Sequence, residues 1–298
     1  MKRSKVIIND KILDSELVKT SINIDYSLYL NCSYVTDNGL IPFLKRNRPY
    51  ITEIHMFNGS NITELSFQEL SLIKLESITL SSMKVYIDKL LSTRLMDHLT
   101  TLKIINCTNL KSEYFKNISE FYNIDRISFK DCGNQVDDNS INYLQEICPS
   151  NLNFSGTSIT DNTLLSLIRF HRLESLDVSN NNITDQGLKG MKGSLKVLNF
   201  SSTKIQDEGI LGMELDKDSL CSLNIAKTGV TDIGLKSIIN QQVNIREIDL
   251  KLTKVTEVGI KELLKLKVLR RLRLPSRHIY KEAIAEVQER FPYCTIYV

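Results

Sequence analysis

The sequence lacks a long uninterrupted apolar segment. Its basic start is followed by only three apolar residues, Val6 to Ile8, before Asn9 and Asp10 interrupt them. A signal peptide requires a run of about seven or more apolar residues, and a membrane-spanning helix requires about twenty. We therefore expect neither a secretory signal nor a membrane span.

An excess of charge of one sign is also missing. The 38 lysines and arginines nearly balance the 35 aspartates and glutamates, which leaves a formal net charge of +3. Attraction to nucleic acid or to a membrane surface usually needs a larger basic excess. We expect neither partner, and the hydrophobic fraction of 42% is ordinary for a soluble protein.

Paired cysteines and metal-ligand spacings are absent too. The six cysteines form no CxxC pair, and no two of the four histidines share a helix face with a carboxylate. Scattered cysteines in a chain of 298 residues indicate reduced thiols and hence a cytoplasmic location. We expect no metal and no other cofactor.

One pattern is present instead, and it repeats. Residues 173–268 contain four copies of LxxLxLxx(N/T)x(I/V)xDxG(L/I), which start at Leu173, Leu195, Leu220 and Ile245. The period of about 24 residues is typical of leucine-rich repeats. Further good copies start at Leu28 and Asn151, and poorer ones start at Ile51, Leu75, Leu99 and Ile124.

Each part of the pattern predicts a structure. The LxL step predicts a short strand with alternate side chains in the core, and the Asn or Thr predicts a turn whose backbone groups it satisfies. The Asp or Glu is predicted to cap a helix, and the glycine to allow close approach of neighbouring repeats. The turn and glycine positions are Asn181, Thr203, Thr228, Thr253, Gly187, Gly209, Gly234 and Gly259.

The copies together predict the domain organisation. We expect one domain over residues 1–298, with an N-terminal cap at 1–24, repeats at 25–268, and a last strand and C-terminal cap at 269–298. The expected number of strands is about eleven. Because the poorer copies lack the Asp-x-Gly element, the segments between the strands are predicted to be irregular from about residue 60 to 148.

These motifs resemble the ribonuclease-inhibitor-like and cysteine-containing leucine-rich repeats, which also occur in F-box substrate receptors and antagonist-of-mitotic-exit-type proteins. The resemblance covers nearly the whole chain. It implies an α/β fold, a right-handed horseshoe-shaped solenoid, with a parallel sheet on the concave side and helices on the convex side. The fold itself does not define the partner.

Catalytic patterns are missing from the repeats. Neither GxxxxGK(S/T) nor GxSxG occurs. Cys107 and Cys132 occupy the turn position and are predicted to be buried, so Cys221 is the one cysteine expected near the rim. His55 lies seven strand spacings, roughly 34 Å, from Cys221, too far for a Cys–His pair. We expect no enzyme activity.

A partner protein is expected on the concave face, where side chains alternate with the buried leucines. Ser155 and Ser179 are expected on this face as well, so Ser179→Ala should change stability by about 0.5 kcal/mol or less. Exposed aromatic residues there are predicted anchors, and cations beside them are predicted to set specificity. Packing of the aromatic residues against the N-terminal cap remains an alternative. The predicted partner-binding residues are Tyr29, His55, Phe57, Lys103, Ile105, Arg126, Lys130, Asp249, Arg271 and Arg273.

The leading hypothesis is a monomeric, non-catalytic module that binds another protein. The composition, rich in Ile, Asn, Lys and Ser, indicates an AT-rich genome. A protist cell and an intracellular bacterium both fit. The chain resembles short Legionella-type leucine-rich-repeat effectors, which implies a virulence role in the host cytoplasm. A substrate-recruiting adaptor of a ubiquitin ligase and an inhibitor of a target enzyme remain alternatives.

Overall fold

A computed structural model describes residues 4–8, 12–22, 25–90, 97–111, 113–167, 171–275 and 281–297. The chain divides into two compact units, Met1–Pro149 and Ser150–Val298, which we name unit 1 and unit 2. Each unit is described separately. The single domain over residues 1–298 stays a prediction.

Unit 1 contains a parallel sheet of six strands among its described residues, paired in chain order. Helices fill most segments between successive strands. The strands are β1 (Ser4–Ile8), β2 (Tyr26–Asn31), β3 (Ile51–Phe57), β4 (Ser77–Ser81), β5 (Thr101–Ile105) and β6 (Arg126–Lys130), and a short β7 (Gly133–Asp137) follows. The helices are α1 (Asp14–Leu17), α2 (Asp37–Asn47), α3 (Glu64–Leu70), α4 (Ile87–Leu90), α5 (Glu113–Ile118), α6 (Asp138–Asn142) and a 3₁₀ turn (Tyr143–Glu146).

Unit 2 repeats this arrangement with shorter strands. Seven of them form a parallel sheet within the described residues, again in chain order. They are β8 (Asn151–Asn153), β10 (Ser175–Asp177), β12 (Val197–Asn199), β14 (Ser222–Asn224), β15 (Glu247–Asp249), β16 (Arg271–Arg273) and β17 (Thr295–Tyr297). The strands β9 (Thr157–Ser158), β11 (Lys192–Gly193) and β13 (Glu214–Leu215) have two residues each. The helices are α7 (Asp161–Leu167), α8 (Asp185–Leu188), α9 (Asp207–Leu211), α10 (Asp232–Gln241), α11 (Glu257–Glu262), a 3₁₀ turn (Leu263–Lys265) and α12 (Lys281–Arg290).

The predicted strand leucines form the core. Leu198, Leu223 and Ile248 face one another in register across three neighbouring strands and are at most 3% exposed. The alternation of buried and accessible residues along each strand follows from the two-residue period of a strand. The predicted α/β repeat architecture is therefore confirmed, with two strands, β1 and β17, added in the segments predicted as caps.

The predicted turn residues satisfy backbone carbonyls inside the bend. Asn181 Nδ2 donates to the carbonyls of Phe154 and Val178 at 2.7 and 3.0 Å. The Thr203 and Thr228 hydroxyls donate to the carbonyls three residues earlier at 2.6 and 2.7 Å. Buried carbonyls without partners would cost free energy, so these side chains stabilise the turn.

The predicted capping role of the Asp is wrong, because the threonine before it caps the helix. Thr231 Oγ1 accepts the amide of Ile233 at 3.2 Å, at the start of α10. The carboxylate of Asp207, one repeat earlier, accepts the Thr231 amide at 2.8 Å and its hydroxyl at 2.6 Å. The aspartate therefore joins two successive repeats instead of closing its own helix.

The predicted irregularity between residues 60 and 148 is wrong for α3. Thr63 caps this seven-residue helix by accepting the amide of Leu65. Ser66 stands where other repeats carry glycine, and its hydroxyl donates to Asp37. A serine that bonds to the aspartate can replace the glycine because it satisfies the oxygen it approaches.

Candidate protein-binding face

The open face of each sheet comprises the strand side chains that alternate with the core residues. All ten predicted partner-binding residues lie on it. Those that are exposed are Lys103, Arg126, Lys130, Arg271 and Arg273, and those that are half-buried are Tyr29, His55, Phe57, Ile105 and Asp249. Their role in binding stays a prediction.

In unit 1 the strand register brings these residues into rows. Tyr29, His55, Thr79 and Lys103 face one another in sequence from β2 to β5. A parallel row contains Phe57, Ser81, Ile105 and Lys130 from β3 to β6. Neighbouring strands lie about 4.8 Å apart, so side chains in one row are in reach of the same ligand.

Two aromatic rings contact each other on the open face of unit 1, one from β2 and one from β3. The Tyr29 and His55 rings stack with their centroids 4.1 Å apart and their planes 7° from parallel. Lys5 Nζ lies 4.0 Å from the centroid of the Tyr29 ring, a cation–π contact made by strand β1. The N-terminal segment therefore packs beside Tyr29, as the alternative interpretation of this aromatic residue required.

The position of His55 changes its protonation. Burial lowers the pKa of His55 most strongly, Glu53 raises it, and Lys103 and Lys5 lower it further. Partial burial and two nearby ammonium groups both disfavour the imidazolium form. The imidazolium form of His55 is therefore disfavoured in the folded protein.

The open face of unit 1 carries more positive than negative charge. Among its described strand residues, Glu53 is the one carboxylate, and its Oε2 accepts a hydrogen bond of 2.6 Å from the Ser27 hydroxyl. No carboxylate of the described residues forms a salt bridge with Lys103. Within the described ranges, the carboxylates within 4.0 Å of Arg126 and Lys130 are those of the adjacent Asp125 and Asp131, at 3.9 and 4.0 Å.

The open face of unit 2 is neutralised by its own ion pairs. Arg271 lies 3.2 Å from Glu247, and Arg273 lies 3.0 Å from Asp249. Both arginines are exposed, so these pairs are weakly stabilising in water. The three predicted binding residues in this unit, Asp249, Arg271 and Arg273, therefore offer less unpaired charge than those in unit 1.

The polar strand residues of unit 2 already have backbone partners. Asn199 Oδ1 accepts the amide of Ser201, and Asp177 Oδ1 accepts the amide of Ser179, each at 3.0 Å. Such bonds end the strand and start the turn. The same two-residue bond is made by Asn31, Asn153, Asn224 and Asp249.

Two serines predicted on the concave face are in fact buried. Ser155 and Ser179 are each 3% exposed, and their hydroxyls lie 2.9 Å apart. They occupy the bend after the strand, where the residue points inward. The prediction was wrong because it continued the alternation of β8 and β10 into the turn, where the backbone no longer follows the two-residue period of a strand.

Sequence reasoning missed Lys5, because the start of the chain was taken as a cap. The signal was present in Ser4–Ile8, where Lys5 and Ile7 alternate with the less exposed Val6 and Ile8. Alternation over only five residues is a weak signal. The sequence also groups five basic residues near the last predicted strand. Arg277 and His278 of this group lie outside the described residues, and the others are Arg270, Arg271 and Arg273.

The cysteines are positioned as structural residues. Cys107 and Cys132 are buried as predicted, and Cys107 Sγ donates to the Ile105 carbonyl at 3.3 Å. Burial raises the pKa of Cys107 to about 11 and that of Cys32 to about 12. These thiols are therefore protonated at neutral pH. Cys148 is half-buried like Cys221, so Cys221 is not alone near the surface.

The described ranges contain neither a metal-binding cluster nor a helix that could span a membrane. No group of three or more His, Cys, Asp or Glu residues there is arranged to hold a metal ion. Within the same ranges, every helix is too short or too polar to cross a bilayer.

Comparison with known proteins agrees with this fold. A family model described as leucine-rich repeat matches residues 171–191 and 194–213. A chain in the crystal structure of the yeast Rad7 and Elc1 complex superposes with a TM-score of 0.58 at 14% identity, over 96% of this chain and 78% of that chain. An internalin from Listeria monocytogenes gives a TM-score of 0.48 at 13% identity, over 86% and 75% of the two chains. No curated protein matches the sequence. The family match identifies leucine-rich repeats at residues 171–191 and 194–213, and the superposition with the yeast chain agrees with a fold of this kind.

Proposed function

We propose that this protein is a non-catalytic module that binds another protein through the open face of its sheets. The observation that carries the proposal is the Tyr29–His55 stack, in which two rings are held rigidly on strands and remain partly accessible. Rigid aromatic residues supply contact area at a small cost in side-chain entropy. The leucine-rich-repeat fold supports a binding role, and the raised pKa values of Cys32 and Cys107 make these two buried thiols poor nucleophiles.

The test is affinity capture from eukaryotic cytosol followed by mass spectrometry. The variant Tyr29→Ala/Phe57→Ala should lose a prey that the wild type retains. The matched control is Tyr122→Ala/Tyr293→Ala, which removes two aromatic side chains that are 67% and 94% exposed. Retention of every prey by the first variant, with its folding confirmed by circular dichroism, would contradict the use of this face.

A ubiquitin-ligase adaptor is the second candidate, because an adaptor needs two contact surfaces. Ile233 and Val258 occupy the same position in the first turns of α10 and α11 and are 63% and 67% exposed. These helices lie away from the open face. A chain of similar fold was crystallised in the Rad7 and Elc1 complex, which shows that such a fold can accompany a second protein.

The adaptor role makes a separate prediction. Ile233→Ser/Val258→Ser should lose ligase scaffold subunits from the captured material while keeping the prey that depends on Tyr29 and Phe57. Both residues are exposed, so the change should alter stability by about 0.5 kcal/mol or less. Capture of ligase subunits at wild-type level by this variant would remove the support for a second surface at α10 and α11.

We also propose a cytoplasmic location, supported by six cysteines without a disulfide. Action as a bacterial effector in a host cell rests on the sequence resemblance alone. A translocation reporter fused to the chain tests it. Reporter activity in host cells that depends on the secretion system of an intracellular bacterium supports the effector role, and its absence contradicts it.

A further inference from the structure

The partner surface of unit 1 has a charge pattern that defines the chemistry of its ligand. Four cations, Lys5, Lys103, Arg126 and Lys130, lie on the open face and are exposed, whereas Glu53 is engaged by Ser27. The open face of unit 2 has its arginines paired with carboxylates. The cationic excess is therefore local to unit 1, although the whole chain has a formal net charge of only +3.

The spacing of the cations suits a segment laid across the strands. Lys5 on β1 and Lys103 on β5 are separated by four strand spacings, about 19 Å, and β6 with Arg126 and Lys130 lies one spacing further. A peptide in extended conformation covers about 3.3 Å per residue, so six or seven residues span this distance. Tyr29 and His55 lie in the same row as Lys103, whereas Lys5 belongs to the neighbouring row of Ser27 and Glu53 and reaches the Tyr29 ring with its ammonium group.

We infer that the open face of unit 1 binds an acidic, extended segment of a partner protein, with carboxylates over Lys5 and Lys103 and the backbone across the Tyr29–His55 stack. This inference rests on the proposed function and adds the chemical class of the partner. Like charges clustered on one face repel each other in the free protein, and an acidic segment relieves that repulsion. Long-range attraction also speeds the encounter with such a ligand.

His55 provides an internal reporter of this binding. The groups that face it are Tyr29 from β2, Glu53 from its own strand, Lys103 from β5 and Lys5 from β1. Carboxylates placed over the two lysines favour the imidazolium form, so an acidic ligand raises the pKa of His55. A neutral ligand that only covers the ring lowers it further by desolvation.

The first experiment measures fluorescence anisotropy with a labelled decapeptide of alternating Glu and Gly. We expect binding by the wild type that weakens as NaCl is raised, because salt screens exposed charges. Lys5→Ala/Lys103→Ala should weaken it by about tenfold. The matched control, Lys204→Ala/Lys254→Ala, removes two exposed lysines outside the open face of unit 2 and should change affinity by less than about twofold.

Several outcomes overturn the inference. The inference fails if the wild type does not bind the acidic peptide, or if both lysine variants lose the same affinity for it. It also fails if the protein prefers phosphatidylserine vesicles to the peptide. In an NMR titration, the pKa of His55 should be higher in the complex with the acidic peptide than with a Gln and Gly peptide of the same length, and equal values in the two samples also overturn the inference. If the acidic peptide fails while a prey still depends on Tyr29 and Phe57, the acidic chemistry is wrong and the proposed function stands. If the peptide binds and no prey depends on these residues, the proposed function fails.

Discussion

Asp207 and Gly234 lie in successive repeats, and a methyl group added at Gly234 would be 2.5 Å from Asp207 Oδ1. The same oxygen accepts the Gly234 amide at 3.0 Å. The glycine is therefore needed for space, since the aspartate of the preceding repeat occupies the place of its side chain. The same relationship holds between Asp161 and Gly187 and between Asp232 and Gly259. The added methyl group would lie 2.5 and 2.3 Å from the aspartate Oδ1 in these two pairs.

This contact predicts a coupled pair of substitutions. Gly234→Ala should lower the free energy of unfolding by about 1–3 kcal/mol, because the new methyl group displaces the carboxylate. In an Asp207→Ala background the same change should cost less than about 1 kcal/mol, since alanine favours a helix over glycine. Urea denaturation of the four variants of this cycle measures the coupling. Additive costs would show that the carboxylate does not determine the glycine.

Gln206 interrupts the row of capping threonines and provides a stabilising substitution. The Gln206 side chain makes no cap bond to α9, although the backbone amide of Gln206 donates to Asp185 at 2.7 Å. Gln206→Thr should raise the free energy of unfolding by about 1 kcal/mol, because the hydroxyl caps the helix and reaches the carboxylate. Gln206→Val has the same shape without the hydroxyl and should not stabilise. Equal melting temperatures of the two variants would contradict the capping role.

The strand alternation is tested by two neighbouring residues of β12. Leu198 is 1% exposed and Val197 is 40% exposed. Leu198→Ala, like Ile225→Ala at another core position, should cost about 2–5 kcal/mol through lost burial and a residual cavity. Val197→Ala should cost about 0.5 kcal/mol or less. Chemical denaturation measures the loss of unfolding free energy in both variants. Similar losses at the two positions would contradict the assignment of Leu198 to the core side of β12 and Val197 to the other side.

His55 predicts a loss of stability in mild acid. Burial first, and then Lys103 and Lys5, lower its pKa in the folded protein against the opposite effect of Glu53. Below the unfolded value of about 6.5 the unfolded chain binds the proton more readily, so stability falls as pH drops from there toward the folded pKa. The stability of wild type relative to His55→Gln, followed by urea denaturation between pH 7.5 and 5, should therefore decline. A constant difference would disagree with this placement of the ring.

Leu252 has a backbone conformation that leucine disfavours. Its φ is +57° and its side chain is 59% exposed, whereas Asn180, Ser202 and Lys227 occupy the same position in the preceding repeats. The left-handed conformation costs roughly 1–2 kcal/mol for most residues and less for asparagine. Leu252→Asn should therefore raise the melting temperature, and Lys251→Asn beside it should not. A lower melting temperature for Leu252→Asn would indicate that the leucine makes a stabilising contact.

The sequence was sufficient to predict the repeats, because each strand leucine and turn residue acts within its own repeat. The sequence was insufficient where a side chain bonds to a residue of the next repeat. Asp207 was expected to cap its own helix, and its bonds to Thr231 become visible only when two repeats are stacked. Ser179 was expected on the open side, where its replacement by alanine would be nearly silent. It is buried instead, and its hydroxyl lies 2.7 Å from Asp177.

The sequence predicted which residues of the candidate site line up across the strands, but it did not predict which of their side chains contact each other. Tyr29, His55 and Lys103 follow from the strand period alone. The stacking of the two rings and the contact of Lys5 depend on side-chain conformations and on a strand near the start of the chain. The pairing of Arg273 with Asp249 likewise depends on the register between β15 and β16. Residue identity therefore indicated where charges lie, and the structure was needed to tell which of them are neutralised.

The bonds from Asp161, Asp207 and Asp232 to the threonine of the next repeat also determine where the chain can be cut or lengthened. A deletion that starts at a strand and ends before the following strand removes the aspartate and the threonine of one repeat. These two residues do not bond to each other, because the aspartate bonds to the threonine of the next repeat. The aspartate left behind then meets the threonine of a later copy, in the same geometry, provided that whole periods are removed. A cut inside α10 instead separates Asp232 from Thr256 and Gly259 and leaves an exposed end without its acceptor. Repeats that carry both the aspartate and the threonine therefore assemble in one direction, from the carboxylate of one repeat to the helix cap of the next.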